Sequence, residues 1–117
     1  KAEQKDYRVY LKNKLPRKYH YRKRDDRMNR IGDILLIPTW PRVFAKGKPG
    51  AGYHGFDPAL VKDMHATFFA WGPLLKSGMQ IDAFENVNVY PLVADMLGLK
   101  VAEKIDGKKK VLRKILK

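Results

Sequence analysis

Cysteine is absent from the 117 residues. That excludes disulfides and any zinc site built on thiolates. It fits the cytosol, and equally the periplasmic proteins that use none. No apolar run approaches the roughly 20 residues that cross a bilayer. No leader-peptide pattern is read at the start. A methionine start is missing as well. The chain opens on Lys1, so it is expected to be a processed product or a part of a longer chain. A phosphate-cradling loop is not found. Lys46 to Gly52 (KGKPGAG) is a loop, but it lacks the Gly, four residues, Gly-Lys-Ser/Thr spacing that such a loop needs. No RNA-binding signature and no internal repeat appear.

What is present in excess is positive charge, +13 overall. It is unevenly placed. Residues 1–30 carry +8, residues 31–99 carry −1 and residues 100–117 carry +6. A reader of nucleic acid usually sets aromatic or base-reading groups inside its basic face. Here the aromatic middle is neutral, so the basic ends attract polyanions weakly and without selectivity. The length suits one domain or a piece of one, and a hydrophobic content of 44% suffices for a packed core.

Along the chain, Tyr7, Tyr10, Leu11 and Leu15 are spaced by three and four, which predicts a short helix from Asp6 to Leu15. Pro16 ends it. His20, between Tyr19 and Tyr21, reads as a half-buried histidine in an aromatic patch. Arg22 to Arg30 (RKRDDRMNR) reads as a solvated charged loop. Ile34 to Ile37 is a short apolar run between Gly32 and Pro38, expected to be a strand buried on both faces. Pro38, Trp40 and Pro41 mark a turn, and Arg42 to Ala45 reads as a second short strand. Asp57-Pro58 is suited to cap and start a helical turn. Thr67 to Trp71, β-branched and aromatic and stopped by Gly72-Pro73, is expected to be a buried strand.

The clearest helix covers Val89 to Leu97. Asn86 or Asn88 can cap it, and Pro91 favours Asn88 because the proline then falls in the first turn. Gly98 suits the position just past its end. Tyr90, Val93 and Leu97 share one face. Asp106-Gly107 reads as a turn, and Val111, Leu112, Ile115 and Leu116 form a final apolar strip. Alternating helices and strands imply α/β layers.

The stretch Gly50-Ala51-Gly52-Tyr53-His54-Gly55-Phe56-Asp57-Pro58 is chemically distinct. It sets an imidazole between glycines, which permit positive φ and close backbone approach. A histidine held this way can aim a ring nitrogen at a fixed point, such as a metal ion. An ordinary surface turn carries the same residue types. His65 lies eleven residues beyond His54, which is not a close ligand spacing.

Several separated motifs then agree in order: Leu15-Pro16 with His20-Tyr21, Arg30-Ile31, Gly52-Tyr53-His54-Gly55-Phe56-Asp57, Asp63-Met64-His65-Ala66, Phe69-Ala70-Trp71-Gly72-Pro73, Phe84-Glu85-Asn86-Val87-Asn88-Val89-Tyr90 and Leu97-Gly98-Leu99. The series resembles the C-terminal part of the catalytic domain of nucleotide pyrophosphatase/phosphodiesterases, in the alkaline phosphatase superfamily. The match covers about residues 8–100, with a basic tail over 100–117. The resemblance implies that residues 1–117 are the C-terminal portion of one layered α/β catalytic domain and not a complete one.

That family hydrolyses phosphodiester or pyrophosphate bonds with two zinc ions, through a covalent phospho-threonine or phospho-serine. By resemblance His54 is a zinc ligand, completing a site with an Asp and a His from earlier sequence. Asp57 and His65 are then candidates for the outer shell that orients it. No segment matches the nucleophile or the remaining zinc ligands, and Thr39 and Thr67 read as structural. Catalytic zinc takes about three protein ligands and an open position, so the chain alone is expected to be inactive. Its apolar faces need covering, so it is also expected to be marginal, oligomeric or held by the missing N-terminal part of the same enzyme. The partners implied are that part and a nucleotide or other phosphodiester substrate. No specific nucleic-acid binding is expected. Location by resemblance is exported, periplasmic or extracellular. Two other readings stand beside this one: a basic nucleic-acid- or anion-binding module, and a scaffold without chemistry.

Overall fold

A computed structural model describes residues 6–117. It divides into two compact units, one running to Thr67 and one over Phe68–Lys117. Both helix and strand are present, as expected of an α/β segment.

The first unit is built on an antiparallel ribbon. Strand β1, Tyr7–Leu11, pairs with strand β2, Ile34–Pro38, in the register Tyr7 to Pro38, Val9 to Leu36 and Leu11 to Ile34. The helix expected from Asp6 to Leu15 is therefore a strand. Tyr-Arg-Val-Tyr-Leu is aromatic and β-branched, which suits a pleated surface. Five residues of mixed spacing do not separate the two periods. Backbone bonds continue the pairing past both ends, from the Lys12 N–H to Asp33 O at 2.8 Å and from the Thr39 N–H to Asp6 O at 2.9 Å.

Strand β2 lies where the apolar run predicts, but it is not buried on both faces. Ile34 and Leu36 are exposed, as are their cross-strand partners Leu11 and Val9. Arg42 to Ala45 is not a strand. Phe44 instead packs edge-on against Tyr7, with centroids 5.6 Å apart.

Lys12, just past β1, is held in an unexpected way. Its ammonium is buried and uses all three of its protons, on Asp26 Oδ2 at 2.6 Å, Asn29 Oδ1 at 3.0 Å and Ile31 O at 2.9 Å. Asp26 accepts in turn from the Arg30 and Ile31 N–H groups, each at 2.9 Å. The charged stretch 22–30 is thus not simply solvated. Part of it folds around one cation, because a buried charge must be paired and fully hydrogen-bonded.

The second unit holds helix α1, Val89–Met96, and the short helix α2, Lys109–Leu112. Leu75, Leu92, Leu112 and Ile115 form its buried core, with Phe68, Ile81, Phe84 and Met96 packed around them. Burial of each such leucine contributes about 1.5–3 kcal/mol. Of the final apolar strip, Leu112 and Ile115 lie in this core, and Val111 and Leu116 pack against it. The segment after α2 pairs with the Leu74–Lys76 stretch, through the Lys76 N–H to Ile115 O at 2.9 Å and the Lys117 N–H to Leu74 O at 3.0 Å. Phe68 and Phe84 meet edge to face at 5.0 Å.

Helix α1 ends at a glycine, as its sequence implies. Gly98 has φ +67°, and the Leu99 N–H returns to Ala94 O at 2.8 Å. Its core-facing side differs from the expectation. Pro91, Leu92 and Ala94 are buried, whereas Tyr90 and Leu97 are 59% and 66% exposed. Thr67 to Trp71 forms no strand, and Phe69 and Trp71 are 80% and 86% exposed. A strand needs a ladder partner, and none lies beside this stretch among the described residues.

Candidate metal-ligand loop

The loop from Gly50 to Asp57 lies in the first unit. Gly52 and Gly55 adopt φ +84° and +92°, a region that residues with a Cβ rarely enter. A Cβ at either position would meet nothing within 4 Å. These glycines therefore serve the shape of the turn. Close approach of another group, the other role their sequence allowed, is not what the described residues show. Tyr53 and His54 between them are exposed.

Downstream of His54 the chain becomes tightly held. The Phe56 ring meets Trp40 edge to face, with centroids 5.0 Å apart and planes at 89°. Asp57 follows, with its side chain only 9% exposed. Its Oδ2 accepts a hydrogen bond from the Tyr19 hydroxyl at 3.1 Å and forms an ion pair with Lys18 Nζ. Its Oδ1 accepts from the Ala59 N–H at 3.0 Å, and its main-chain oxygen accepts from the Leu60 and Val61 N–H groups. The predicted cap at Asp57-Pro58 is therefore present, but it opens one turn and not a longer helix.

Burial alone would raise the Asp57 carboxyl, but the bonds from Lys18, Ala59 and Tyr19, with the Lys18 charge, outweigh it and hold the carboxyl below its usual range. Burial first, and then the Asp57 charge and the bond to it, push the Tyr19 phenol up to about 12. At neutral pH the pair is thus a carboxylate accepting from a neutral phenol.

His65 reaches the same turn. Its Nε2 lies 3.0 Å from Pro58 O. A carbonyl only accepts, so Nε2 carries the proton in this arrangement. Asp57 and His65 thus meet on one turn, three residues beyond His54. Among the described residues neither hydrogen-bonds the His54 ring. Both hold the backbone that follows it.

His20 is half-buried, as expected, and closes the 3₁₀ turn Arg17–Tyr19 with φ +55°. A mainly apolar cavity of about 180 Å³ opens beside Asp57, lined among others by Arg8, Tyr19, Trp40, Phe56 and Leu60. No three His, Cys, Asp or Glu side chains among the described residues group in a way that would hold a metal ion. Thr39 donates its N–H to Asp6 O at the end of the ribbon, in keeping with a structural place. Lys18 and Tyr19 were missed from sequence. Their only signal was the neighbouring Leu15-Pro16 and His20-Tyr21 motif, which carried no role of its own.

Comparison with known proteins agrees with these motifs. Ectonucleotide pyrophosphatase/phosphodiesterase family member 1 of Rattus norvegicus is 38% identical over 96 residues, 80% of this chain and 10% of that protein. A venom phosphodiesterase of Crotalus durissus collilineatus is 34% identical over 113 residues, 95% of this chain and 13% of its own. The bis(5'-adenosyl)-triphosphatase of Bos taurus is 34% identical over 94 residues, 79% of this chain and 20% of its own. The chain belongs to the nucleotide pyrophosphatase/phosphodiesterase family. It spans between about a tenth and a fifth of the length of these relatives. No protein-family model matches it, and no solved structure does so significantly. Among the described residues no helix is long and apolar enough to cross a membrane.

Proposed function

We propose that this chain is a segment of a zinc-dependent phosphodiesterase or nucleotide pyrophosphatase, in which His54 supplies one ligand to one of two zinc ions. One observation carries the reading. An exposed imidazole stands between two glycines of positive φ, just before an aspartate with both oxygens engaged. That stretch falls in a chain whose relatives bear the names of phosphodiesterases and pyrophosphatases.

A neutral imidazole nitrogen suits one position around zinc. Among the described residues no three His, Cys, Asp or Glu side chains group to hold a metal ion, so they do not make a zinc centre by themselves. The remaining ligands and the nucleophile are assigned to polypeptide outside this chain, and the chain alone is inactive. A bound zinc supplies Lewis acidity toward a phosphoryl oxygen. This chain's own part is to present the imidazole on a turn whose far side cannot drift. Asp57 and His65 act there on the backbone, not on the ring.

The substrate class is a phosphodiester or a nucleotide pyrophosphate. The two units are parts of an alkaline-phosphatase-like layered domain whose other layers cover the apolar ribbon and helix faces. The words "ecto" and "venom" in the relatives' names favour action outside the cell.

The test is His54→Ala in the full-length parent. Zinc per chain falls by about one, and turnover of a phosphodiester substrate falls well beyond the about 10–100-fold that loss of an outer-shell partner costs. Circular dichroism stays unchanged. Unaltered zinc content and turnover would reject the ligand assignment.

A further inference from the structure

The proposed ligand loop is anchored by a segment that its function has not so far required. We infer that Lys18 and Tyr19, through their joint hold on Asp57, are positioning residues for His54. This inference rests on the reading of His54 as a zinc ligand and adds the residues that set its place.

Lys18 and Tyr19 lie 38 residues or more before Asp57 in sequence. The short turn they belong to is itself firmly built. Leu15 ahead of it is wholly buried, and its carbonyl accepts from Arg22 Nε. The Tyr19 N–H returns to Pro16 O at 3.2 Å and the His20 N–H to Arg17 O at 3.1 Å. Lys18 Nζ also stands over the Tyr19 ring, 5.4 Å from its centroid, which fixes the two side chains relative to each other. Both converge on the same oxygen, Asp57 Oδ2. The other oxygen holds the Ala59 N–H.

The consequence for His54 follows from the backbone. Only Gly55 and Phe56 separate it from Asp57. Gly55 holds φ +92° and so sets the path of the chain from Asp57 back to His54, while Tyr53 and His54 are exposed. The loop's fixed point is downstream, where Phe56 meets Trp40 and Asp57 meets Lys18 and Tyr19. Freeing Asp57 lets that end move, and a ligand atom must be held within about 0.5 Å to bind well.

The test uses the full-length parent with zinc affinity read by competition against a chromophoric chelator, and folding read by circular dichroism and melting temperature. Lys18→Met and Asp57→Asn each lower zinc affinity about 10–100-fold, the range for outer-shell partners. Tyr19→Phe, which keeps the ring, lowers it several-fold. Lys18→Arg restores most of the loss seen with Lys18→Met. If Asp57→Asn fails to fold, the Lys18 pair still decides, because that side chain is 45% exposed and tolerates exchange.

His54→Ala is the reference. If it loses a zinc while Lys18→Met and Tyr19→Phe bind zinc like the parent, the anchoring inference is overturned and the ligand reading stands. If His54→Ala itself binds zinc unchanged, both fall.

Discussion

Asn88 is the residue where a stability measurement separates two physical roles. Sequence reasoning makes it the N-cap of α1, whose side chain would accept from an N–H of the first turn. The structure gives it no such bond and places its backbone in the helical region, at φ −82° and ψ −10°. Its buried side chain instead joins the turn just before α1 to a stretch of backbone just before α2. Nδ2 donates to Glu85 O at 3.0 Å, and Oδ1 accepts from the Lys108 N–H at 2.8 Å, twenty residues on. An N-cap replaced by alanine costs about 1 kcal/mol. A bridge replaced by alanine strands one donor and one acceptor, at about 1–3 kcal/mol each. Glu85 and Lys108 both reach solvent elsewhere, so the lower end applies, and Asn88→Ala is expected to cost about 2 kcal/mol. Urea unfolding by circular dichroism reads the total. Hydrogen exchange of the Lys108 amide reads the bridge itself, whose protection falls by about 30-fold for that energy. Asn88→Ser is the sharper arm. Serine caps as well as asparagine but is too short to span both partners, so it resembles alanine here. A serine variant as stable as the parent, with the Lys108 amide still protected, would refute the bridge and restore the cap.

The neighbouring Gly107→Ala is expected to destabilise by about 1–3 kcal/mol or more, because its Cβ would overlap Val87 O and fall 3.0 Å from Pro91 Cδ. Urea unfolding checks it, and a neutral result would mean that the chain between Gly107 and α1 yields easily. Acid should unfold the first unit in a defined window. The bond from Lys12, and those from the Arg30 and Ile31 N–H groups, lower the Asp26 carboxyl from 3.8 to about 2. A lowered folded-state value means that its stabilisation is present above about pH 4 and is lost as pH falls toward 2. The urea midpoint should fall over that range, and Asp26→Asn should flatten the fall. An unchanged slope in that variant would place the acid sensitivity elsewhere, for example at Asp57.

The parts of the fold that were legible are those set by strictly local chemistry. Gly98 ends α1 because glycine enters the left-handed region freely, and that can be read from one residue and its neighbours. Asp57-Pro58 opens a turn for a similarly local reason. Strand β2 was legible because four apolar residues between Gly32 and Pro38 leave little else. What could not be read was any choice made by a distant partner. Tyr7–Leu11 becomes a strand because β2 is there to pair with it. Lys12 is buried because Asp26, Asn29 and Ile31 surround its ammonium, yet in sequence it is one lysine among many. Within the candidate site, His54 was singled out by its glycines. Asp57 was named beside it, but what holds Asp57 was invisible, because Tyr19 is joined to it across 38 residues and belongs to no spacing pattern.

One disagreement between sequence pattern and structure has a physical resolution. Val9, Leu11, Ile34 and Leu36 fall on one face of the ribbon by their register, and all four are exposed. Leu35 and Ile37, on the other face, are half-buried. A strand apolar on both faces is the pattern of a sheet covered on both sides. The same holds for α1, where Tyr90, Val93 and Leu97 repeat at helical spacing yet stand in solvent while Leu92 faces the core. A chain that left these faces bare would carry apolar patches of the kind that mark contact with other polypeptide. Periodicity therefore marks apolar faces that the described residues leave uncovered. That is the outcome expected if this chain, which spans 10–20% of three relatives, is packed against the remainder of a phosphodiesterase. Under the proposed reading of His54, the same remainder brings the other zinc ligands.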